Sequence, residues 1–188
     1  MSTARAELIT LLTDRSLQTG TFTLASARTS SYYIDARRTT MSARGLDLVG
    51  RLGLTAIREA GWDAQLVGGL TLGADPVAYA VALTSRNAPP PIDAFTIRKA
   101  PKDHGAARLI EGCFTPGARV VVVEDVLTTG ASALQAAEVL AREGARVLGV
   151  LAVVDRNEGG RDAVAQAGYE LRALVAAEEL GVRHDAAT

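Results

Sequence analysis

Four valines, two acids and a loop of small residues form the segment of this chain with the clearest chemistry. Residues 120–132 read VVVVEDVLTTGAS. The valines predict a strand buried on both faces, residues 133–142 predict a helix, and residues 124–132 are the predicted turn between them. The small loop residues leave room for backbone N–H groups to face an anion at the positive end of the helix dipole. Because Glu124 and Asp125 are good acceptors for vicinal hydroxyls, the segment predicts a site for a ribose 5-phosphate.

An ordinary helix start is the alternative for the same residues. Ser132 and Gln135 have the spacing of a capping box. Such a cap gives no role to the acidic pair or to the two threonines, so we favour sugar-phosphate binding.

The second segment with chemical potential is basic. Residues 98–105 read RKAPKDHG and hold both lysines of a chain that has eighteen arginines. A lysine ammonium is a compact charge with three rotatable donors, which suits an oxygen-rich leaving group such as pyrophosphate. The stretch has no helical or strand periodicity and predicts a surface loop. A solvated basic loop without function is the alternative.

These segments resemble known motifs. Residues 120–132 resemble the phosphoribosyl pyrophosphate motif of type I phosphoribosyltransferases, and residues 98–112 resemble the catalytic loop of the orotate phosphoribosyltransferase family. Three further segments are similar to the same family: residues 22–35 to its N-terminal hood, residues 68–76 (GGLTLGADP) to its pyrophosphate-side loop, and residues 155–160 (DRNEGG) to a site segment. The resemblance implies an α/β fold with a central, mostly parallel sheet flanked by helices and a small hood.

The resemblance also implies a reaction and its residues. Ribose 5-phosphate would pass from phosphoribosyl pyrophosphate to orotate, giving orotidine 5′-monophosphate and pyrophosphate, a step of pyrimidine synthesis. The implied catalytic residues are Lys102, His104, Glu124 and Asp125. The implied phosphoribosyl pyrophosphate site comprises Arg98, Lys99, Lys102, His104, Glu124, Asp125, Val126, Leu127, Thr128, Thr129, Gly130, Ala131 and Ser132. Thr128 and Arg156 would bind orotate. Mg²⁺ is the expected cofactor, with no direct protein ligand, because substrate and water oxygens would hold it.

The resemblance has further implications for the assembly and for base recognition. The implied assembly is a homodimer in which loop 98–108 acts in the neighbouring subunit. Arg156 has a second interpretation as a surface residue paired with Asp155 or Glu158. The chain departs from common family residues at Ala25, Ala27, Ser31 and Leu72. Two of these are lysines in a longer branch, and Arg28 or backbone amides of residues 69–73 are the candidates to replace that charge.

Three other functions stay open beside orotate transfer. A phosphoribosyltransferase for another base would share every feature above. A non-catalytic sensor of phosphoribosyl pyrophosphate would keep the valine motif but would not need both lysines and the histidine. A nucleotide hydrolase is disfavoured because the chain has no GxxxxGK[ST] loop.

The remaining pattern predicts one domain over residues 1–188, with hood elements at about 1–40 and a core at about 42–180. Strands and helices alternate, which predicts a parallel sheet with right-handed crossovers. Predicted helices cover about 4–14, 42–60, 77–83, 133–142 and 160–167, and predicted strands about 22–24, 32–34, 65–67, 94–98, 120–123, 147–154 and 170–175.

The composition indicates which classes of binding partner to expect. The formal net charge is −1 and hydrophobic residues make up 48% of the chain, so we expect no nucleic-acid partner. The longest apolar run is too short to cross a bilayer, and we expect a cytoplasmic protein without a membrane partner. Cys113, the single cysteine, is predicted to be a small packing residue.

Overall fold

The computed structural model describes residues 2–23, 29–99 and 109–182. Its helices are α1 (Thr3–Arg15), α2 (Arg37–Thr40), α3 (Ala43–Glu59), α4 (Ala74–Arg86), α5 (Ala131–Arg142) and α6 (Gly160–Gln166), with a 3₁₀ turn at Ala177–Leu180. Its strands are β1 (Leu17–Thr23), β2 (Thr29–Ile34), β3 (Leu66–Leu70), β4 (Asp93–Ile97), β5 (Ile110–Gly112), β6 (Arg119–Leu127), β7 (Arg146–Asp155) and β8 (Leu171–Ala176).

Six strands form the central sheet in the order β5-β4-β3-β6-β7-β8. All neighbouring pairs are parallel except β4 with β5. The four valines at residues 120–123 of β6 are fully buried, as expected for a strand covered on both faces. One apolar cluster packs α1, α3 and α4 against one face, and a second packs α5 and α6 against the other. The predicted mostly parallel α/β fold is confirmed.

A separate two-stranded sheet supplies the hood. β1 and β2 pair antiparallel, with Leu17 opposite Ile34. Side chains of β2 alternate, so Tyr32 is 1% exposed and Tyr33 is 37% exposed. One of these two neighbouring tyrosines therefore packs in the core and the other is exposed.

Several predicted boundaries were wrong in ways that matter for the site. β3 continues to Leu70 and α4 begins at Ala74, which shortens the predicted loop of residues 68–76 to residues 71–73. β6 continues through both acids to Leu127, because its pairing with β7 extends to that residue. The turn is therefore only residues 128–130, not 124–132.

Two features of the 110–113 region differ from the prediction. Strand β5, three residues long, was missed, since its length is too short for a periodicity to register. Cys113 follows it and is exposed, so its predicted role as a packing residue is wrong.

Within the described part of the chain, no helix combines the length and apolarity that crossing a bilayer requires.

Candidate active site

An open cleft of about 360 Å³ lies where the hood meets the carboxyl ends of the sheet strands. Ligands of open α/β sheets bind at this edge. The residues around the cleft come from the end of the hood, the β3–α4 loop and the ends of β4, β6 and β7. They are Tyr33, Ile34, Asp35, Arg37, Leu70, Thr71, Leu72, Gly73, Lys99, Glu124, Asp125, Val126, Thr128, Ser132 and Arg156.

The loop predicted to bind phosphate lies between β6 and α5, and we refer to it as the cradle. Gly130 is the N-cap of α5 with φ 81°, a conformation that favours glycine. No side-chain hydrogen bond caps the helix there, so its first N–H groups remain available to an anion. The alternative capping box at Ser132 is wrong, because Ser132 is the second residue of the helix and lines the cleft.

Close backbone packing holds the cradle in place. Gly160 at the start of α6 donates its N–H to the Thr128 carbonyl at 2.9 Å. A β-carbon at Gly160 would lie 2.6 Å from that oxygen, so only glycine fits. The loop is thus fixed before a ligand arrives.

The two acids share the cleft but differ in charge. Burial, and then the neighbouring charge of Asp125, raise the pKa of Glu124 to about 8. Glu124 is therefore mainly protonated at neutral pH, and Asp125 supplies the negative charge. The Oδ1 atom of Asp125 accepts a hydrogen bond from the Val126 N–H at 2.9 Å.

Arg156 is a buried residue of the cleft wall, not a surface residue. It follows β7 and its N–H donates to the Leu127 carbonyl at 2.9 Å. Its side chain is 4% exposed, forms an ion pair with Glu158 at 2.6 Å and lies 4.6 Å above the centre of the Tyr32 ring. Among the described residues, its buried Nε has no hydrogen-bond partner. The predicted pairing with Glu158 exists, but it is buried, and the guanidinium also donates to Ser30 Oγ at 3.3 Å.

Asp155 belongs to the scaffold beside this arginine. It is fully buried, and its Oδ1 accepts from the Asn157 N–H at 2.9 Å. Its Oδ2 accepts from Arg161 at 2.9 Å. The sequence alternative that paired Arg156 with Asp155 is not what the structure has.

Of the basic segment, residues 98 and 99 are described by the structure. Lys99 lines the cleft, whereas Arg98 does not and instead lies 3.8 Å from Glu111. Lys102 and His104 lie outside the described residues, as do Ala25, Ala27 and Arg28. Their predicted roles remain predictions.

Other predicted binding residues surround the cleft without lining it. Leu127 is buried, and its carbonyl accepts the hydrogen bond from the Arg156 N–H. Thr129 and Ala131 are exposed beside the cradle. Asp35 and Arg37 also line the cleft, from the end of the hood, and were not predicted from the sequence. Their only signal was a charged pair directly after the strand.

The donor set bears on a metal ion. Among the residues that the structure describes, no three acids, histidines or cysteines are grouped as a metal site would need. Asp125 is the charged acid of the pair, and Glu124 is a poor ligand while protonated. That substrate oxygens hold the ion stays a prediction from the sequence.

Comparisons with known proteins agree with this geometry. The family model described as "Phosphoribosyl transferase domain" matches residues 114–168. Orotate phosphoribosyltransferase of Mycobacterium tuberculosis is 47% identical over 180 residues, 95% of this chain and 97% of that protein. The enzyme of that name from Aquifex aeolicus is 45% identical over 179 residues, 94% of this chain and 97% of that protein.

A solved structure extends the comparison to three dimensions. The crystal structure of Mycobacterium tuberculosis orotate phosphoribosyltransferase in complex with 5-phospho-α-D-ribosyl 1-diphosphate superposes with a TM-score of 0.80 at 42% identity. The match covers 95% of this chain and 99% of that one. The fold and the cleft define a type I phosphoribosyltransferase. Within that class, the chain belongs to the orotate phosphoribosyltransferase family.

Proposed function

We propose that this protein transfers ribose 5-phosphate from phosphoribosyl pyrophosphate to orotate. The bond from the anomeric carbon to pyrophosphate breaks, and a bond from the same carbon to the N1 nitrogen of orotate forms as that nitrogen loses its proton. The products are orotidine 5′-monophosphate and pyrophosphate. The observation that carries the proposal is that Asp125 and Arg156, at the ends of adjacent parallel strands, line one cleft.

The sugar lies between the cradle and the acids. The 5-phosphate accepts hydrogen bonds from the cradle at the start of α5, with Thr128 and Ser132 adding hydroxyl donors. Protonated Glu124 and ionised Asp125 bind the ribose hydroxyls. As the anomeric bond breaks, positive charge develops on the sugar, and the Asp125 carboxylate stabilises it.

The leaving group meets the basic part of the cleft. Lys99 neutralises developing charge on pyrophosphate, and we assign the same role to Lys102 and His104 from their positions in the sequence. When bound through substrate oxygens, Mg²⁺ would screen the charge of the pyrophosphate beside these cations. Arg98 would have to leave Glu111 in order to contribute.

Arg156 selects the base. Its Nε is buried and has no hydrogen-bond partner among the described residues. An unpaired buried donor lowers the stability of the fold until an acceptor binds to it. The orotate carboxylate or the adjacent imide edge supplies that acceptor, and Thr128 lines the same cleft. A base without an acidic group gains less from this pocket.

The proposed assembly is a homodimer whose loop 98–108 serves the neighbouring site. α4 presents Tyr79 and Leu83, 54% and 70% exposed, one turn apart on the helix. Leu72, in the loop that lines the cleft, is 54% exposed just before the same helix. A second copy bound to this apolar face would lie beside the cleft. In the proposed homodimer, each copy supplies its loop 98–108 to the cleft of the other.

A direct assay tests the proposed activity. The protein, phosphoribosyl pyrophosphate, Mg²⁺ and orotate are mixed, and the loss of orotate absorbance is followed. We expect loss of absorbance that depends on all four components. Binding of phosphoribosyl pyrophosphate without turnover of any base would favour the sensor. The cytoplasmic location and the lack of a nucleic-acid partner stay predictions from the sequence.

A further inference from the structure

A second charged pair reaches the cleft from the end of the hood. Arg37 is the first residue of α2, and its Nε donates to Asp35 Oδ1 at 2.8 Å. Both side chains line the cleft. The Arg37 side chain is 42% exposed, so a ligand in the cleft can contact it. A guanidinium has five N–H donors, and the bond to Asp35 uses one of them.

The neighbours of Arg37 differ from those of Arg156. Alternation along β2 sends Tyr32 under Arg156 and Tyr33 to the opposite side. The pKa of Arg37 is raised mainly by its hydrogen bond to Asp35, with smaller effects from Tyr33 and Asp125. Arg37 therefore shares the cleft with Tyr33 and with the Asp125 carboxylate, and both affect its charge.

The neighbouring elements place the same residue near the leaving group. α2 contacts α4, and α4 begins directly after residues 71–73. Gly73 of that loop packs against the Asp125 carboxylate. A sugar held on Asp125 with its 5-phosphate in the cradle therefore has the 71–73 loop and Arg37 around its other substituents.

Charge balance identifies what Arg37 can bind. The cations among the described cleft residues are Arg37, Lys99 and Arg156. Glu158 neutralises Arg156 in a buried ion pair. Arg37 also pairs with Asp35, but only through its Nε, and its side chain is 42% exposed. Its other donors, together with Lys99, are therefore free to meet the several negative charges of a pyrophosphate, and a guanidinium can bind such oxygens with two parallel hydrogen bonds.

We propose that Arg37, held by Asp35, is a binding residue for the pyrophosphate group of phosphoribosyl pyrophosphate. This inference rests on the proposed function and names a cation for it that lies outside the basic loop. The hood then contributes to both ends of the reaction, with Tyr32 under the base-binding arginine and Arg37 at the leaving group.

The test measures binding of magnesium pyrophosphate by calorimetry to the full chain. Arg37→Ala should weaken the Kd by about tenfold or more, the scale expected for loss of a charge-assisted contact. Arg38→Ala is the matched control, because Arg38 is the next residue of α2, is exposed and does not line the cleft. It should bind within about twofold of the unchanged protein. Equal binding by Arg37→Ala would overturn the inference.

Two further measurements separate binding from support of the fold. Arg37→Lys keeps the charge and should recover most of the lost affinity, while the melting temperature of all three variants stays near that of the unchanged protein. An Arg37→Ala protein that melts early and loses orotate and pyrophosphate binding equally would mean a scaffold role and also overturn the inference. If the unchanged protein itself does not bind magnesium pyrophosphate, the proposed function fails as well. If it binds and Arg37→Ala binds equally, the inference alone fails.

Discussion

Gly73 and Asp125 are packed so closely that a β-carbon on the glycine would lie 2.4 Å from the Oδ1 atom of the aspartate. The β3–α4 loop thus serves as a wall that fixes the carboxylate against β6. Real β-carbons do not tolerate this separation, and the carboxylate is the movable partner. The loop and the acid therefore form one unit in the site.

A mutant cycle tests this unit. Asp125→Asn should lower kcat at least about tenfold, because it keeps shape and removes the charge that stabilises the transition state. Gly73→Ala should also lower kcat by displacing the carboxylate, with little change in melting temperature. If Gly73 acts through Asp125, the double variant should be about as slow as Asp125→Asn alone. Losses that multiply would show that the glycine acts by another route. Asp14→Asn, at an exposed position of α1, is the control.

Because Arg156 is paired with Glu158, the substitution Arg156→Ala alone would change stability as well as orotate binding. Arg156→Ala leaves the Glu158 carboxylate buried without its cation, so we expect lower stability. Arg156→Ala with Glu158→Gln should recover stability but not orotate affinity, which should stay weaker by about 1.5–3 kcal/mol. Calorimetry with orotate and with phosphoribosyl pyrophosphate checks the split. Equal losses for the two ligands in the double variant would contradict a base-binding role.

Glu124 predicts a pH dependence of stability. Its pKa is about 8 in the folded chain against the ordinary 4.5. Between these values the folded state binds more protons than the unfolded state, so the free energy of unfolding should fall as pH rises. The upper bound of this loss is about 5 kcal/mol. Urea unfolding at pH 5 and pH 8 should show a smaller fall for Glu124→Gln than for the unchanged protein. Exposed Glu59→Gln is the control, and an unchanged fall in Glu124→Gln would refute the assignment.

A mixed dimer tests the shared site. Lys102→Ala should be slower by about a hundredfold or more, since the departing pyrophosphate loses a cation. If Lys102 of one subunit serves the Asp125 site of the other, a heterodimer of Lys102→Ala and Asp125→Asn contains one site with neither defect. It should recover up to half of the normal activity per dimer. Two affinity tags verify the exchange, and verified heterodimers without recovery would place Lys102 in its own subunit's site.

The sequence predicted residues that line the cleft better than it predicted the ends of the strands and helices. The valine run identified β6 because burial on both faces needs an uninterrupted apolar stretch. The end of β6 was hidden, because Glu124 and Asp125 look like loop residues until pairing with β7 is known. Strand pairing is a long-range property that a local pattern does not contain.

Long-range contacts also explain the residues that were missed. Arg37 is one of eighteen arginines and has no distinguishing spacing. Only the placement of the hood over the sheet edge brings it to the cleft. The burial of Arg156 likewise depends on Tyr32, which is far away in the chain and lies under the guanidinium in the fold. The sequence indicated that both tyrosines belong to the hood but not which one faces the arginine.

Competition among bases tests the central claim most directly. Phosphoribosyl pyrophosphate and Mg²⁺ are supplied with equal concentrations of orotate, uracil, adenine and hypoxanthine, and the nucleotides formed are separated by chromatography and identified by mass. We predict orotidine 5′-monophosphate as the dominant product, with pyrophosphate released in equal amount and the yield sharply reduced in Asp125→Asn. Dominance of another nucleotide, or bound phosphoribosyl pyrophosphate with no nucleotide formed, would contradict the account.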